Sequence, residues 1–577
     1  MYESPTDLTG HAPPSRATGA PLTLRPRLVT DMLDETVSRF GQRPAIDFLG
    51  AVTTFRELSV LADRAAAGLQ AIGVQPGDRV ALCLPNLPAY PILYLGALRA
   101  GAVVVNLNPL YVERELEALL RDSGARVVAT CDIPDIHARV VQVAQRLELE
   151  KIVTCPVADA LPALKRIAYR LFRRASIARP LTGPRHMRLA DLLAGGARAW
   201  PATITPDDPA VLQYTGGTTG VPKAAVLSHA NLVANADALV QHIGNDRPGQ
   251  DRIVGVLPLF HVFALTTVLN AALRTGAEMV LLPRFELKAL LATLRRKPPT
   301  YLPAVPTIYG AIAAAARTQR IDLSGLRACI SGGAPLPAET REAFARTAGG
   351  HVIEGYGLSE ASPVIACNPI DGSGRPGAAG VAYPGTTIEI RDPENPTRIM
   401  PLGQLGEVCA SGPQVMRGYW NRPDETRDVF VDGMLRTGDI GYLDDTGQLF
   451  IVDRIKDVIL CGGYNVYPRM IEEAALEHDA VAEAIAIGVP DDYRGEAPKL
   501  FVTLRAGASA TPDELCEFLR KLLSKIELPR EIEIRTELPK TLIGKLSKKE
   551  LVAEERAKRD SDLKAKSNIN LTTMEEV

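Results

Sequence analysis

No C-x-x-C pair occurs in the 577-residue chain. Its eight cysteines stand apart at 83, 131, 155, 329, 367, 409, 461 and 516. That spacing excludes both a disulfide framework and a zinc site, and it fits a reducing compartment. The eight histidines form no H-E-x-x-H or comparable ligand pattern. Charge of one sign is also missing. With 65 Lys and Arg against 67 Asp and Glu, the net charge is −2, which excludes a chain-wide electrostatic grip on nucleic acid. The N-terminal MYESPTDLTGHAPPSRATGAPL lacks the apolar core of a secretory signal. The most membrane-like stretch, YPILYLGALRAGAVVVNLNPLY at 90–111, is interrupted by Arg99, Gly101 and Pro109. It reads as a buried helix, a glycine turn and a buried strand rather than a span. What remains is 46% hydrophobic and 23% charged residues, ordinary for a soluble globular protein long enough for a large unit and a smaller one. A cytoplasmic enzyme is the expectation.

The first half alternates β-rich runs with helix-like ones. RVALCLP (79–85), AVVVNLN (102–108), RVVATC (126–131) and KIVTC (151–155) read as strands, and FRELSVLADRAAAGLQAIG (55–73) as a helix. Such alternation predicts parallel α/β layers. A second α/β region spans about 250–360, and short β runs with glycine turns fill 380–453. The predicted class is therefore α/β. Two layered subdomains and a β-rich subdomain form a large N-terminal domain at 29–453, preceded by a disordered segment at 1–28. A hinge at 454–457 leads to a small, mobile α+β C-terminal domain at 458–555, and a polar tail closes the chain at 556–577.

The segment LPALKRIAYRLFRRASIARP (161–180) stands apart. Leu164, Ile167, Ala168, Leu171, Phe172 and Ala175 recur at helical spacing, with six cations and no acid among their neighbours. Two readings stay open: an ordinary surface helix packed on its own domain, or a basic amphipathic helix docked on an anionic membrane.

Chemistry concentrates in YTGGTTGVPK (214–223), SGGAPL (331–336), EGYGLSE (354–360), RTGDIGYL (436–443), VDRIKD (452–457) and PKTLIGKL (539–546). The first has the glycines, threonines and closing lysine of a phosphate loop. It does not match G-x-x-x-x-G-K-[ST], however, and the run after it is strand-like rather than helical. Singly, each stretch also reads as a turn or a surface lysine. Together and in this order they resemble the motifs of the adenylate-forming superfamily, which comprises acyl-CoA synthetases, luciferases and peptide-synthetase adenylation domains. The resemblance covers about 30–555. LPLFHVFAL (257–265), GPQVMRGYWNRPDET (412–426) and GGYNVYP (462–468) bring it closest to bacterial long-chain fatty-acid CoA ligases.

That resemblance implies a two-step reaction, in which an acid and ATP give an acyl-AMP and pyrophosphate and CoA then displaces AMP. It assigns Thr215, Gly216, Gly217, Thr218, Thr219 and Gly220 to the β- and γ-phosphates, with Tyr214 beside them among the nucleotide-binding residues. Backbone N–H groups and hydroxyls suit that task, and glycine lets the main chain approach closely. Lys223 supports the loop or its phosphates, or forms a structural salt bridge behind them. Ser359 stands where the family mostly has threonine and keeps the hydroxyl for the α-phosphate. Glu360 is the implied Mg2+ ligand, with Thr215 as a weaker second. Tyr356, with Gly357, covers one adenine face, and Gly333, Ala334 and Pro335 form the other wall. Asp439 and Arg454 bind the ribose. Lys545 arrives from the small domain to contact the carboxylate and α-phosphate. Rotation about Lys456 then removes it, so that Gly462, Gly463 and Tyr464 face the pantetheine of CoA. His261 is expected near the acyl and thiol entrance, with a core-packing role as the alternative.

The motif commonly read as DGWLHTGD in fatty-acid ligases is DGMLRTGD here, with Met434 and Arg436 replacing Trp and His. That change leaves dicarboxylates and aryl acids open beside fatty acids, as it does a stand-alone enzyme loading a carrier protein. Expected partners are a carboxylic acid, ATP, CoA and Mg2+, and no nucleic acid. Peripheral membrane contact through 161–180 and a homodimer remain open.

Overall fold

The structure, a computed structural model, describes residues 14–559 apart from 180, 196–198, 201, 216–221, 245–246, 318, 320, 322, 324, 349–350, 462–463, 492–493 and 541–545. It divides into two compact units. Met1–Gln404, Cys409–Thr437 and Leu443–Phe450 make the larger, and Leu405–Val408, Gly438–Tyr442 and Ile451–Val577 the smaller.

The large unit contains two sheets. One has seven strands in the order Lys223–Ser228, Pro209–Thr215, Val103–Asn106, Arg79–Cys83, Val127–Cys131, Lys151–Cys155 and His186–Arg188. All its pairings are parallel except the first, an antiparallel hairpin in which Lys223 faces Thr215. The second sheet runs through Ala51–Thr54, Pro44–Phe48, Glu278–Leu281, Arg252–Gly255, Tyr301–Ala304, Ala328–Gly332, Val352–Gly357, Val364–Cys367 and Gly380–Ala382. Its six strands from Pro44–Phe48 to Val352–Gly357 are parallel. Runs such as VVVN are buried at every position, as parallel strands covered on both faces require.

Helices fill the space between these sheets. Phe55–Ala71 starts at a capping box, where the Thr54 hydroxyl accepts from the Glu57 N–H and the Glu57 carboxylate accepts from the Thr54 N–H. A cap of this kind stabilises by about 1 kcal/mol. The helix packs on the second sheet through Pro44–Phe48 and Ala51–Thr54, and on the helix Ala89–Arg99. Ala89–Arg99 in turn packs on Arg79–Cys83 and Val103–Asn106 of the first sheet. All its residues except Arg99 are buried, so it is apolar all round, as an interlayer helix should be. The stretch 90–111 is therefore helix, Gly101 turn and strand, as its interruptions predict. Among the described residues no helix is long and apolar enough to cross a membrane.

Two departures from the sequence reading lie in this unit. Residues 14–28, expected to be disordered, include the strand Arg16–Thr18, which pairs antiparallel with Thr387–Arg391. Ser15 is fully buried, and the Arg16 guanidinium pairs with the buried Glu389, so a distant partner orders a Pro- and Gly-rich segment. The basic helix is the second. It spans only Ala163–Phe172 and buries none of its residues, so its apolar stripe is not packed inward.

In the small unit, Tyr464–Val466, Ile459–Cys461, Gly495–Leu504 and Val481–Asp491 form an antiparallel sheet. Glu531–Arg535 adds a strand parallel to Gly495–Leu504. Alternation sets its two faces. Ala484, Ala486, Leu500 and Val502 join Ile471, Leu515 and Leu519 of the helices Pro468–Leu476 and Pro512–Leu519. Ile485, Ile487 and Phe501 pack on the other side against Leu538 and Leu551.

Candidate active site

Parallel strands concentrate the glycine motifs at one sheet end. Ala328–Gly332 and Val352–Gly357 are neighbours in register, with Ser331 beside Glu354 and Gly332 beside Gly355. SGGAP and EGYG therefore leave adjacent strands at their carboxyl ends, where open α/β sheets bind ligands. Gly333 takes φ +86°, a left-handed turn that favours glycine. The Leu336 N–H donates to Glu354 at 3.2 Å and ties the SGGAP turn to the neighbouring strand. Gly357 has a different reason. A Cβ there would lie 2.0 Å from the Pro363 carbonyl oxygen, so only glycine passes. Tyr356, half-buried, packs near Ala361, Ile365 and Ala410.

Ser359 and Glu360 sit on the single turn Ser359–Ala361, pinned by the buried Ala361. Asn235 donates to the Ala361 carbonyl at 3.3 Å and to that of Val364 at 2.9 Å. This turn packs against both Pro209–Thr215 and Lys223–Ser228, so the hairpin carrying the phosphate-type loop and the Ser-Glu turn are direct neighbours. Thr215 and Lys223 end the two hairpin strands. Gly216, Gly217, Thr218, Thr219 and Gly220 lie outside the described residues.

A third element completes this cluster. The Tyr419 hydroxyl donates to Glu360 Oε1 at 2.9 Å. Burial, followed by the Glu360 carboxylate beside it, pushes this hydroxyl far above the ordinary tyrosine range, so it stays protonated and donating. Lys223 Nζ lies 5.5 Å from the centre of the Tyr419 ring, within cation–π reach. The backbone joins in, since the Met416 N–H donates to the Glu360 carbonyl and the Trp420 N–H to that of Ala224. Tyr214 is buried. Its hydroxyl donates to Asp122 at 2.7 Å, and Arg422 pairs with the same carboxylate at 2.7 Å. That side chain braces the hairpin, leaving only its backbone for a ligand. His261 caps the short helix Val262–Ala264, its Nδ1 accepting from the Phe263 N–H at 3.2 Å.

The small unit carries its own cluster. Asp439, buried, pairs with Arg454 Nε at 3.2 Å. Lys456 occupies the turn Ile455–Asp457. Burial, and then the Arg454 and Lys548 charges, hold its ammonium below the usual lysine range, against the pull of Asp457 and Asp439. Asp453 fixes the start of this turn and of the next helix by accepting from the Arg454 and Arg469 N–H groups, both at 2.8 Å. Tyr464 is exposed beside Gly462 and Gly463, which lie outside the described residues, as does Lys545.

Residues 33–420 match the AMP-binding enzyme family and residues 470–545 the AMP-binding enzyme C-terminal domain. The chain belongs to this family. It is 41% identical over 538 residues to a long-chain-fatty-acid–CoA ligase of Bacillus subtilis, covering 92% of this chain and 96% of that one. A long-chain-fatty-acid–CoA ligase of Escherichia coli O6:H1 is 37% identical over 543 residues, covering 92% and 95%. Among solved structures, ATP-bound MatB from Rhodopseudomonas palustris superimposes with a TM-score of 0.79 at 31% identity, covering 90% of this chain and 98% of that one. The expected membership of the adenylate-forming superfamily and the α/β architecture with a smaller C-terminal part are thus established.

For this AMP-binding enzyme, sequence reasoning missed Tyr419, Asp122 and Arg422. RGYW carries a family likeness in the sequence but no sign of a partner, and Tyr419 meets Glu360 across 59 positions. Among the described residues no cluster of three or more His, Cys, Asp or Glu forms a metal cage. Mg2+ does not need one, since it is commonly held by one or two carboxylates together with substrate phosphates. Glu360, a hard oxygen donor on a turn packed against the strand of Thr215, fits that manner of binding.

Proposed function

We propose that the protein is an ATP-dependent ligase that converts a medium- or long-chain fatty acid to its CoA thioester. The acid's carboxylate oxygen attacks the α-phosphorus of ATP, and the bond to the β-phosphate oxygen breaks, releasing pyrophosphate. The CoA sulfur then attacks the acyl carbon of the acyl-AMP. The bond to the AMP oxygen breaks, AMP leaves, and the thiol proton passes to solvent. The observation that carries this reading is the meeting of the Thr215–Lys223 hairpin with the Ser359–Glu360 turn, braced by Tyr419.

Within this reading the 216–220 loop and Thr215 hold the β- and γ-phosphates, and the Ser359 hydroxyl donates to the α-phosphate. Glu360, with Thr215 as a weaker second, holds Mg2+, which when bound neutralises phosphate charge. Tyr356 and Gly357 cover one face of adenine, opposite Gly333, Ala334 and Pro335. Asp439 and Arg454 bind the ribose. Lys545 contacts the carboxylate and α-phosphate during adenylation, and a turn about Lys456 removes it. Gly462, Gly463 and Tyr464 then line the path of pantetheine. A long-chain acid partitions into membranes, so peripheral contact with a bilayer suits this enzyme, and 161–180 is the candidate segment.

Pyrophosphate release measured over a panel of acids, with and without CoA, tests the proposal. Release with fatty acids and ATP alone, followed by thioester on adding CoA, is expected. Release confined to dicarboxylates or aryl acids would reassign the substrate, which the unusual Arg436 makes the second reading. Adenylation without a CoA thioester from any acid would overturn the ligase and favour carrier loading.

A further inference from the structure

We infer that the helix Ala163–Phe172 docks the protein on an anionic lipid bilayer through its outward apolar face. The inference rests on the peripheral contact proposed above, and it supplies the face and the lipid chemistry. Leu164, Ile167, Leu171 and Phe172 are 83%, 57%, 68% and 84% exposed. An amphipathic surface helix ordinarily turns such residues inward. Here the polar side does the anchoring. Lys165 Nζ donates to the Leu49 carbonyl at 2.7 Å, Arg166 to that of Leu161 at 3.2 Å, and Arg170 pairs with Asp159 at 2.7 Å. Tyr169, half-buried, packs on the core of the large unit. The helix is thereby fixed with its apolar stripe facing water.

Charge identifies the occupant. Segment 161–180 holds six cations and no acid. Arg173, Arg174 and Arg179 follow the apolar stripe, are exposed, and form no salt bridge among the described residues. A second copy of this chain would oppose two such cationic faces. A nucleic acid would leave four large apolar side chains in water. An anionic bilayer satisfies both features at once, taking Leu171 and Phe172 below the headgroups and the arginines at their level.

The test is co-sedimentation of the full chain with vesicles of phosphatidylcholine alone or mixed with phosphatidylglycerol, without any turnover. Binding to the mixed vesicles, released by salt, is expected. Replacing Leu171→Ser together with Phe172→Ser lowers that binding at least about tenfold, by the apolar area withdrawn. Replacing Arg173→Gln together with Arg174→Gln lowers it by about tenfold on the mixed vesicles only. Circular dichroism and thermal unfolding unchanged from the native chain establish that both variants fold. Native binding indifferent to phosphatidylglycerol, or variants that bind as the native chain does, would overturn the inference. So would a change of oligomeric state in the Leu171/Phe172 variant without vesicles, which would make the face a protein interface. Because no catalysis is measured, failure here leaves the ligase proposal standing, and failure of the ligase leaves this result intact.

Discussion

The two units hold their candidate site residues in opposite ways. In the large unit Glu360 is held by Tyr419, Tyr419 lies beneath Lys223, and Tyr214 is tied through Asp122 to Arg422. These contacts brace the side chains and the hairpin strands behind them. In the small unit Asp439 pairs with Arg454, whose side chain is 58% exposed against 9% for Asp439. An ion pair open to solvent on one side is worth about 0–1 kcal/mol, so a ligand hydroxyl can replace it at little cost. Preorganised groups suit a charge that must be met in a fixed place, and exchangeable ones suit groups that come and go.

Substitutions can break this contrast. The largest effect is expected from Glu360→Gln, which removes the carboxylate charge and keeps the shape. Acid-dependent pyrophosphate release should fall by about 10²–10³. A value within twofold of the native chain would remove Glu360 from the reaction. Tyr419→Phe tests the brace itself. Losing one hydrogen bond to a charged group should lower kcat/KM for ATP by about tenfold, and added Mg2+ should recover part of it. A loss that Mg2+ does not touch would mean that Tyr419 only packs. Arg454→Ala, on the exposed side of the contrast, should raise the KM for ATP by only about threefold with kcat unchanged.

The braced unit also carries a pH dependence that affects stability rather than rate. His229 begins the helix after the hairpin, and its Nδ1 accepts from the Val29 N–H at 3.3 Å. Burial pulls its pKa from 6.5 down to about 4, with Asp208 opposing. The unfolded chain therefore takes up this proton first as pH falls. Stability contributed by the neutral ring is full above about 6.5 and is lost as pH falls towards about 4, about 3 kcal/mol in all. Urea unfolding across that window should show the slope, and His229→Gln should flatten it. An unchanged slope in the variant would assign the effect to other groups.

The strands were legible in the sequence because parallel strands buried on both faces leave apolar runs, as VVVN does at Val103–Asn106. The hairpin was legible because a glycine–threonine string separates two such runs. Arg16–Thr18 was not, since RAT has no strand pattern and is ordered by Thr387–Arg391 far along the chain. The outward turn of Leu164 and Phe172 was equally hidden, because periodicity gives the face of a helix but not its direction. Tyr419 escaped for a related reason. Its partner Glu360 is close only in the fold, and no spacing rule links them.

In the proposed reaction Lys545 serves adenylation and not thioester formation. Lys545→Ala tests this directly, with the two half-reactions measured separately on the intact chain. Pyrophosphate release should fall by about 10²–10³, while thioester formation from supplied acyl-AMP and CoA stays within about twofold of native. Equal loss in both half-reactions would contradict it.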